Sequence, residues 1–192
     1  SMAGTIRFIT AKPQADEFTA KVTGGMGSID DGGDTARAGV VVNIPISDKL
    51  AVRASVAYIK EGGWIDIPSL NQEDTNEFKQ LDTKLAIRYM PTDALTIDGV
   101  WISQSLDSEY LSAGTHPGLN DQQTLLAPAP TFPNGGGEFT DSDYDIVGLT
   151  VDWDLGFASL VSATSYYDRD FLYQHDTQSY AAYFHYALGI YY

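Results

Sequence analysis

Apolar and polar side chains alternate along much of this sequence, and this period of two is the feature that most constrains its fold. From Ala36 to Ile46 every second side chain is apolar, while Arg37, Asn43 and Pro45 belong to the opposite face of the same extended segment. Helical periodicity is hard to find anywhere in the chain. The pattern therefore predicts an all-β chain of about eight strands. The other predicted strands are residues 50–58, 81–89, 147–153 and 184–192, with less regular ones near 17–29, 94–104 and 157–169.

The connections between these segments alternate between short and long. Antiparallel up-and-down barrels of the bacterial outer membrane have tight periplasmic turns and long external loops, so this alternation favours that architecture. Several apolar runs reach about ten residues, near the ~9–11 that cross a bilayer at a tilt and above the ~5–6 of a typical globular strand. We therefore predict a transmembrane barrel whose apolar faces contact lipid and whose polar faces line a hydrated or plugged lumen. The short turns are residues 47–48, 91–93 and 154–156, and the polar connections are 60–78, 105–140, about 170–179 and a shorter acidic one at 30–35.

Aromatic residues end several of the apolar faces. Tyr58, Tyr89, Trp153 and Tyr192 stand where the interfacial girdles of a membrane barrel lie, because such rings have an apolar body and a polar tip. Aromatic residues of an ordinary protein core would give the same pattern, and both interpretations stay open from sequence alone.

The two faces of one strand offer a test of orientation. If Val42 lies near the middle of a bilayer, Val42→Arg should impair membrane assembly by ~2–4 kcal/mol, whereas Asn43→Arg should be tolerated in a hydrated lumen. A soluble β-domain would instead bury the apolar face in a core and expose charged residues such as Arg53 and Arg88 to water.

Charge and composition exclude several classes of protein. The net charge of −15 argues against nucleic acid as a partner, because phosphate binding needs clustered lysine and arginine. The absence of cysteine excludes disulfides, thiolate metal sites and a cysteine nucleophile. Residues 1–4 show no secretion signal, so an exported chain would need sequence upstream of them, and we expect the beginning of the protein to be missing.

An acidic run near the middle of the chain imitates a calcium-binding loop. Asp141, Asp143 and Asp145 are followed by Asp152, but Ile146 stands where such a loop needs glycine to turn. In a strand the three carboxylates of the run would share one face at the external rim, where they are solvated or bind divalent cations weakly. A second acidic cluster, at residues 30–34, is better explained by a turn than by a metal site, because aspartate and glycine favour turns.

Catalytic and metal-binding motifs do not stand out. His116, His175 and His185 have no partner at the spacing of metal ligands, and no nucleophile elbow, phosphate-binding glycine loop or zinc-binding helix occurs. The sequence therefore predicts no catalytic residue, no metal site and no cofactor, and we do not expect an enzyme.

Residues 3–13, AGTIRFITAKP, carry a resemblance to a known family. Gly4, Ile6, Thr10 and Pro13 keep the spacing G-x-I-x-x-x-T-x-x-P, which resembles the end of the plug domain in TonB-dependent outer-membrane receptors. In that family the segment leads into the first barrel strand. A glycine-containing hairpin and long alternating strands follow here as well.

The resemblance implies the organisation and the partners of the chain. Residues 1–13 would end a plug domain, and residues 14–192 would form transmembrane strands with external loops. Because the family's barrels have about twenty-two strands, this chain would be the N-terminal portion of a larger barrel. The implied partners are outer-membrane lipid and lipopolysaccharide, a periplasmic energy-coupling protein of the TonB type that acts through the missing N-terminal region, and a small-molecule or oligosaccharide substrate.

The implied function is energised uptake of a scarce solute across the bacterial outer membrane. Ferric siderophores, corrinoids and oligosaccharides all remain open as substrates. Substrate contact in this family comes partly from external loops, where an exposed ring beside glycine can stack on a flat or sugar-like ligand. The loop candidates for ligand binding are Trp64, Tyr110 and His116.

Two alternatives stay open. Tyr186, Leu188, Ile190 and Tyr192 resemble the apolar C-terminal signature of complete outer-membrane proteins, which favours a small complete barrel with a structural or adhesive role. A soluble all-β carbohydrate-binding domain is the alternative from another class, and solubility without detergent would favour it.

Overall fold

The computed structural model describes residues 10–68, 71–109 and 138–174, and within them the chain is all-β. No helix in this part of the chain is long and apolar enough to cross a membrane. The strands found there are β1 (Thr19–Ser28), β2 (Asp34–Ser47), β3 (Leu50–Glu61), β4 (Ile65–Ile67), β5 (Gln72–Thr75), β6 (Phe78–Thr92), β7 (Leu95–Glu109), β8 (Phe139–Asp154) and β9 (Ser159–Gln174).

Seven of these strands form one sheet in the order β1-β2-β3-β6-β7-β8-β9. Each strand pairs antiparallel with the next along the chain, and only the small β4–β5 hairpin stands apart between β3 and β6. The all-β, antiparallel, up-and-down prediction is thereby confirmed. The sheet is open over the described residues, with β1 and β9 as its edge strands.

The strands of the sheet are longer than the alternation predicts. Residues 105–109 continue β7, residues 170–174 continue β9, and residues 60–78 contain the β4–β5 hairpin, so the polar connections predicted there are shorter than expected. The reason is that pairing continues through polar partners beyond the apolar stretches, as between Asp107 and Asp141. A pattern of hydrophobicity cannot detect strand residues of that kind. The predicted strand at residues 184–192 lies outside the described residues.

Tight turns connect one end of the sheet, at residues 48–49, 93–94 and 155–158. The 155–158 turn is closed by the Leu155 backbone N–H, which donates to the Ala158 carbonyl, and Gly156 takes a positive φ of 81° there. A residue with a Cβ is strained in that conformation, so glycine fits the position. The short connections predicted at this end are confirmed.

The sheet has almost no conventional core. Among the described residues the buried apolar side chains are Ala51, Ile65 and Ala86. No second layer of strands or helices covers either face over these residues, and only residues 10–18 cross one of the faces. The two faces of the sheet must therefore meet different surroundings for the fold to be stable.

Residues 10–18 form a strap that crosses the polar face of the sheet before β1 begins. Asn43, which is 0% exposed, accepts a hydrogen bond from the Gln14 backbone N–H (2.9 Å) and donates to the carbonyls of Gln14 (2.9 Å) and Glu17 (2.6 Å). Farther along the segment, Lys12 Nζ lies 3.1 Å from Asp98 Oδ2 on β7. The expectation that Asn43→Arg is tolerated in a hydrated lumen does not fit this arrangement, because the strap buries Asn43 completely. An arginine at that position would have to displace the strap.

Candidate functional site

The face of the sheet that carries the alternating apolar residues is its most unusual surface. Cross-strand register keeps these side chains in step from one edge to the other. Alternation along each strand puts every second residue on this face, so the apolar side chains form one continuous surface. One row of cross-strand partners runs through Ala20, Val42, Ala54, Leu85, Trp101, Val147 and Tyr166.

This apolar surface is uncovered over the described residues. Leu149 is 50% exposed, Val147 49% and Val56 47%, although all three lie well inside their strands. Soluble monomers rarely expose a contiguous apolar patch larger than ~300–600 Å². The apolar surface here extends across all seven strands of the large sheet, which is typical of a surface that contacts an apolar partner.

Aromatic side chains bracket the aliphatic residues of the apolar surface. Tyr89 and Trp153 lie at the end with the tight turns, and Tyr58 and Trp101 are the last apolar residues of β3 and β7 on this face toward the opposite end. Tyr166 ends the apolar row on β9, with Leu172 farther along the same face beyond two aspartates. All five rings are exposed. The predicted placement of Tyr58, Tyr89 and Trp153 at the ends of the apolar faces is confirmed, and Tyr192 lies outside the described residues.

Carboxylates lie beyond the aromatic row at the end opposite the tight turns. Asp143 is the cross-strand partner of Asp170, and Asp145 that of Asp168, all on the same face as Val147. The Trp101 indole Nε1–H donates a 2.8 Å hydrogen bond to Asp145 Oδ1, so the ring has one apolar and one polar side. No group of acidic or histidine side chains in the described ranges is arranged to hold a metal ion.

The opposite face carries a network of ion pairs and amide hydrogen bonds. The Arg88 guanidinium donates two hydrogen bonds to the Asp98 carboxylate, of 2.7 and 2.8 Å. Lys12 of the strap contacts the same carboxylate. Such a bidentate arrangement fixes orientation as well as charge. Between β6 and β7, Gln80 and Gln104 both donate to Asp82, at 2.7 and 2.6 Å. This face is suited to water or to polar ligands and not to hydrocarbon.

Trp64, a predicted ligand contact, lies just before β4 and is half-buried. Its backbone N–H donates to the Thr75 carbonyl (3.0 Å) and to Asn76 Oδ1 (2.9 Å). Gly63 approaches the returning strand so closely that a Cβ there would overlap the Asp74 carbonyl. The hairpin thus holds Trp64 in one place, but its role as a ligand contact stays a prediction. The other two candidates, Tyr110 and His116, lie outside the described residues.

An acidic cavity of about 360 Å³ adjoins the hairpin at the end opposite the tight turns. Its most buried side chain is Glu138, which is only 2% exposed. Sequence reasoning missed this cavity, because its lining comes from separate segments and only the pairing of the strands brings them together. The lining residues are Gln72, Thr75, Asp107, Glu109, Glu138, Phe139 and Asp141.

Glu77 anchors the base of the hairpin through two lysines. Lys60 Nζ lies 2.7 Å from Glu77 Oε2, and Lys79 contacts Glu77 Oε1. Burial alone would raise the pKa of Glu77, but the hydrogen bonds and positive charges of the two lysines outweigh it, and the pKa is lowered from its ordinary value of 4.5. The carboxylate is therefore charged at neutral pH and ties β3 to β6 where they leave the sheet.

We expect the hairpin to loosen in acid for this reason. Because the folded state lowers the pKa of Glu77, its stabilisation is complete above the ordinary pKa of 4.5 and is lost as the pH falls through the lower folded value. Hydrogen exchange of the Trp64 backbone N–H between about pH 3 and pH 6, corrected for intrinsic exchange, should show protection falling in wild type and a flat profile in Glu77→Gln. Glu61→Gln is the control, since its pair with Arg37 is exposed at the surface. The same acid loss in Glu77→Gln would contradict the assignment.

Comparisons with protein-family models, with curated proteins and with solved structures found no match to this chain.

Proposed function

We propose that this chain forms part of a β-barrel in the bacterial outer membrane and acts there as a receptor and transporter that takes up a scarce solute. The observation that carries the proposal is the uncovered apolar surface with its aromatic borders. A soluble β-domain hides such a surface in a core, whereas a membrane barrel turns it outward onto lipid. Tyrosine and tryptophan favour the two interfaces of a bilayer, where one part of each ring is apolar and the other wet.

The length of the strands supports the same proposal. The strands of the large sheet have 10 to 16 residues, compared with the ~9–11 needed to cross a bilayer at a tilt. Those that extend farther carry polar residues at one end, as in β8, where Asp141, Asp143 and Asp145 lie beyond the apolar stretch. A strand of this kind crosses the hydrocarbon and continues into water on the outer side.

The two edge strands of the sheet, β1 and β9, support closure of the sheet into a barrel. The outer edges of β1 and β9 leave backbone N–H and C=O groups without strand partners among the described residues. In hydrocarbon each unpaired group costs several kcal/mol, so only a closed barrel satisfies them. Further strands would complete the barrel, and the polar face with Arg88, Asp98 and Asp82 would line its lumen.

The strap supports a transporter of the TonB-dependent type. Thr10 and Pro13, which belong to the motif that resembles the end of a plug, lie in the segment that crosses the polar face. A chain that leaves a plug inside a barrel must cross the lumen face in this way before it enters the first strand. Loops on the outer side would capture the solute, and a periplasmic coupling protein would drive its passage. Ferric chelates, corrinoids and oligosaccharides remain the candidate substrates.

Fractionation of cells that express the protein tests the membrane assignment. We expect the protein in the outer-membrane fraction, extracted only by detergent and resistant to alkaline washing. Its electrophoretic mobility should change on heating, because a folded barrel stays compact in detergent until it is boiled. A protein that remains in buffer without detergent would reject the proposal and favour the soluble carbohydrate-binding alternative.

Uptake assays with a labelled ferric chelate, corrinoid or oligosaccharide, with and without the coupling protein, then separate a transporter from a structural or adhesive barrel.

A further inference from the structure

Two cationic side chains on the polar face differ from their neighbours. Arg53 on β3 and Lys84 on β6 are both half-buried, and neither forms an ion pair with any residue that the structure describes. The cations that do form ion pairs in this part of the chain are Lys12, Arg37, Lys60, Lys79 and Arg88.

Register places Arg53 and Lys84 close together. Lys84 is the cross-strand partner of Ser55, and Arg53 lies two residues before Ser55 on the same face. Diagonal neighbours of this kind are roughly 7–8 Å apart, within reach of long side chains. Like charges at this range repel each other, and the repulsion is greater where the surroundings exclude water.

The nearby carboxylates are already engaged. Asp82, two residues from Lys84 on the same face of β6, accepts hydrogen bonds on both oxygens, from Gln80 and Gln104. Asp98 is held by Arg88 and Lys12. The chain has 26 acidic and 11 basic residues, so two adjacent cations without an acidic partner run against its composition. Their arrangement is explained if an anion from elsewhere binds between them.

A cavity between the strap and the sheet supplies the space. It measures about 300 Å³ and is lined by Thr10, Ala11, Val41, Arg53, Ser55 and Lys84. This volume is at the lower end of the range for small-molecule sites. Two residues with cationic side chains and two with hydroxyl groups line this cavity, its volume is sufficient for a small anion, and Thr10 and Ala11 of the strap form one side of it.

We propose that Arg53 and Lys84 form a binding site for a small multivalent oxyanion, either a phosphate or a polycarboxylate. The planar guanidinium matches two oxygens of such a group, the ammonium supplies a second point charge, and Ser55 and Thr10 can donate hydrogen bonds. Because the protein has a net charge of −15, its overall field repels anions, and any affinity must come from this local pair. The site adds an anionic substrate class to the proposed function and depends on that function only for its role in transport.

Calorimetric titration of the purified full-length chain in detergent micelles tests the site, with inorganic phosphate and citrate as the two probes. We expect saturable binding of at least one anion, weakened by about tenfold or more in Arg53→Gln and in Lys84→Gln, as expected when a charge-assisted hydrogen bond is lost. Arg37→Gln is the matched control, since Arg37 lies on the same face but is paired with Glu61 at the opposite end of β3. Its affinity should equal that of wild type.

Two results would overturn the proposal. One is no binding of either probe to the wild-type protein. The other is equal binding by the Arg53→Gln/Lys84→Gln double variant, once circular dichroism shows that its strands are intact. If the protein proves soluble without detergent, the same titration in buffer still decides the anion site. Failure of the membrane proposal is therefore distinguishable from failure of this one.

Discussion

Leu149→Arg is expected to destabilise the membrane-inserted protein by ~2–4 kcal/mol, the range measured for arginine near the middle of a bilayer on the outer face of a barrel. Leu149 lies inside β8 on the apolar surface, with Gly99 and Thr164 as its cross-strand partners, and it is half exposed. A guanidinium there would have to enter hydrocarbon or draw water into it. The measurement is urea-induced unfolding from lipid vesicles, followed by the heat-dependent change in mobility.

The neighbouring residue provides the control. Thr150 lies on the opposite face of the same strand, across from Asp98 on β7. Thr150→Arg puts the same charge at the same position along β8, but beside a carboxylate on the polar face. We expect its unfolding free energy to stay within about 0.5 kcal/mol of wild type, as for a surface substitution. Equal losses in the two variants would contradict the assignment of the faces.

Asn43→Ala is expected to release the strap, because one amide group satisfies three backbone groups. The substitution leaves the Gln14 N–H and the carbonyls of Gln14 and Glu17 without their partner. At a net value of about 1 kcal/mol for each hydrogen bond, we expect a loss of about 3 kcal/mol in stability of the strap against opening. Limited proteolysis after Glu17 with a glutamate-specific protease reports this opening, because Asn43 holds the Glu17 carbonyl against the sheet until the strap opens.

Gln14→Ala is the control, because it removes a side chain from the strap without removing the hydrogen bonds of Asn43. Gln14 contacts Asn43 through its backbone alone, so its truncation should leave the cleavage rate unchanged. Asn43→Asp keeps the acceptor for the Gln14 N–H but puts a charged oxygen against the Gln14 and Glu17 carbonyls at a buried position, so it should open the strap at least as readily as Asn43→Ala. Cleavage of Asn43→Ala at the wild-type rate would show that the hydrogen bonds of Asn43 do not hold the strap on the sheet.

The sheet was predictable from the sequence because alternation carries its signal in every strand. Val40, Val42 and Ile44 identify the apolar face of β2, and the register then extends that face across β3 and β6 without further information. The ends of the strands were less predictable. Pairs such as Asp143 with Asp170 continue the sheet through carboxylates that look like loop residues in the sequence.

The sites were harder to predict, because each depends on segments that are distant in the chain. Asn43 reads as one polar residue in an alternating strand, and only the path of the strap shows that it is fully buried. Arg53 and Lys84 are separated in the sequence, and the pairing of β3 with β6 brings them together. Trp64 follows two glycines, and that local pattern predicts a ligand contact in a polar loop but not the β4–β5 hairpin that begins beside it.

The most direct test of the central claim uses spin labels on the protein reconstituted in lipid vesicles. The chain has no cysteine, so each introduced label reports one site. Labels at Val147→Cys, Leu149→Cys and Val151→Cys should collide readily with oxygen, which concentrates in hydrocarbon, and poorly with a water-soluble nickel complex. Labels at Ile146→Cys and Thr150→Cys should show less contact with oxygen. If the labels of the first set collide with neither reagent, or mainly with the nickel complex, the apolar surface does not face lipid and the proposed function is wrong.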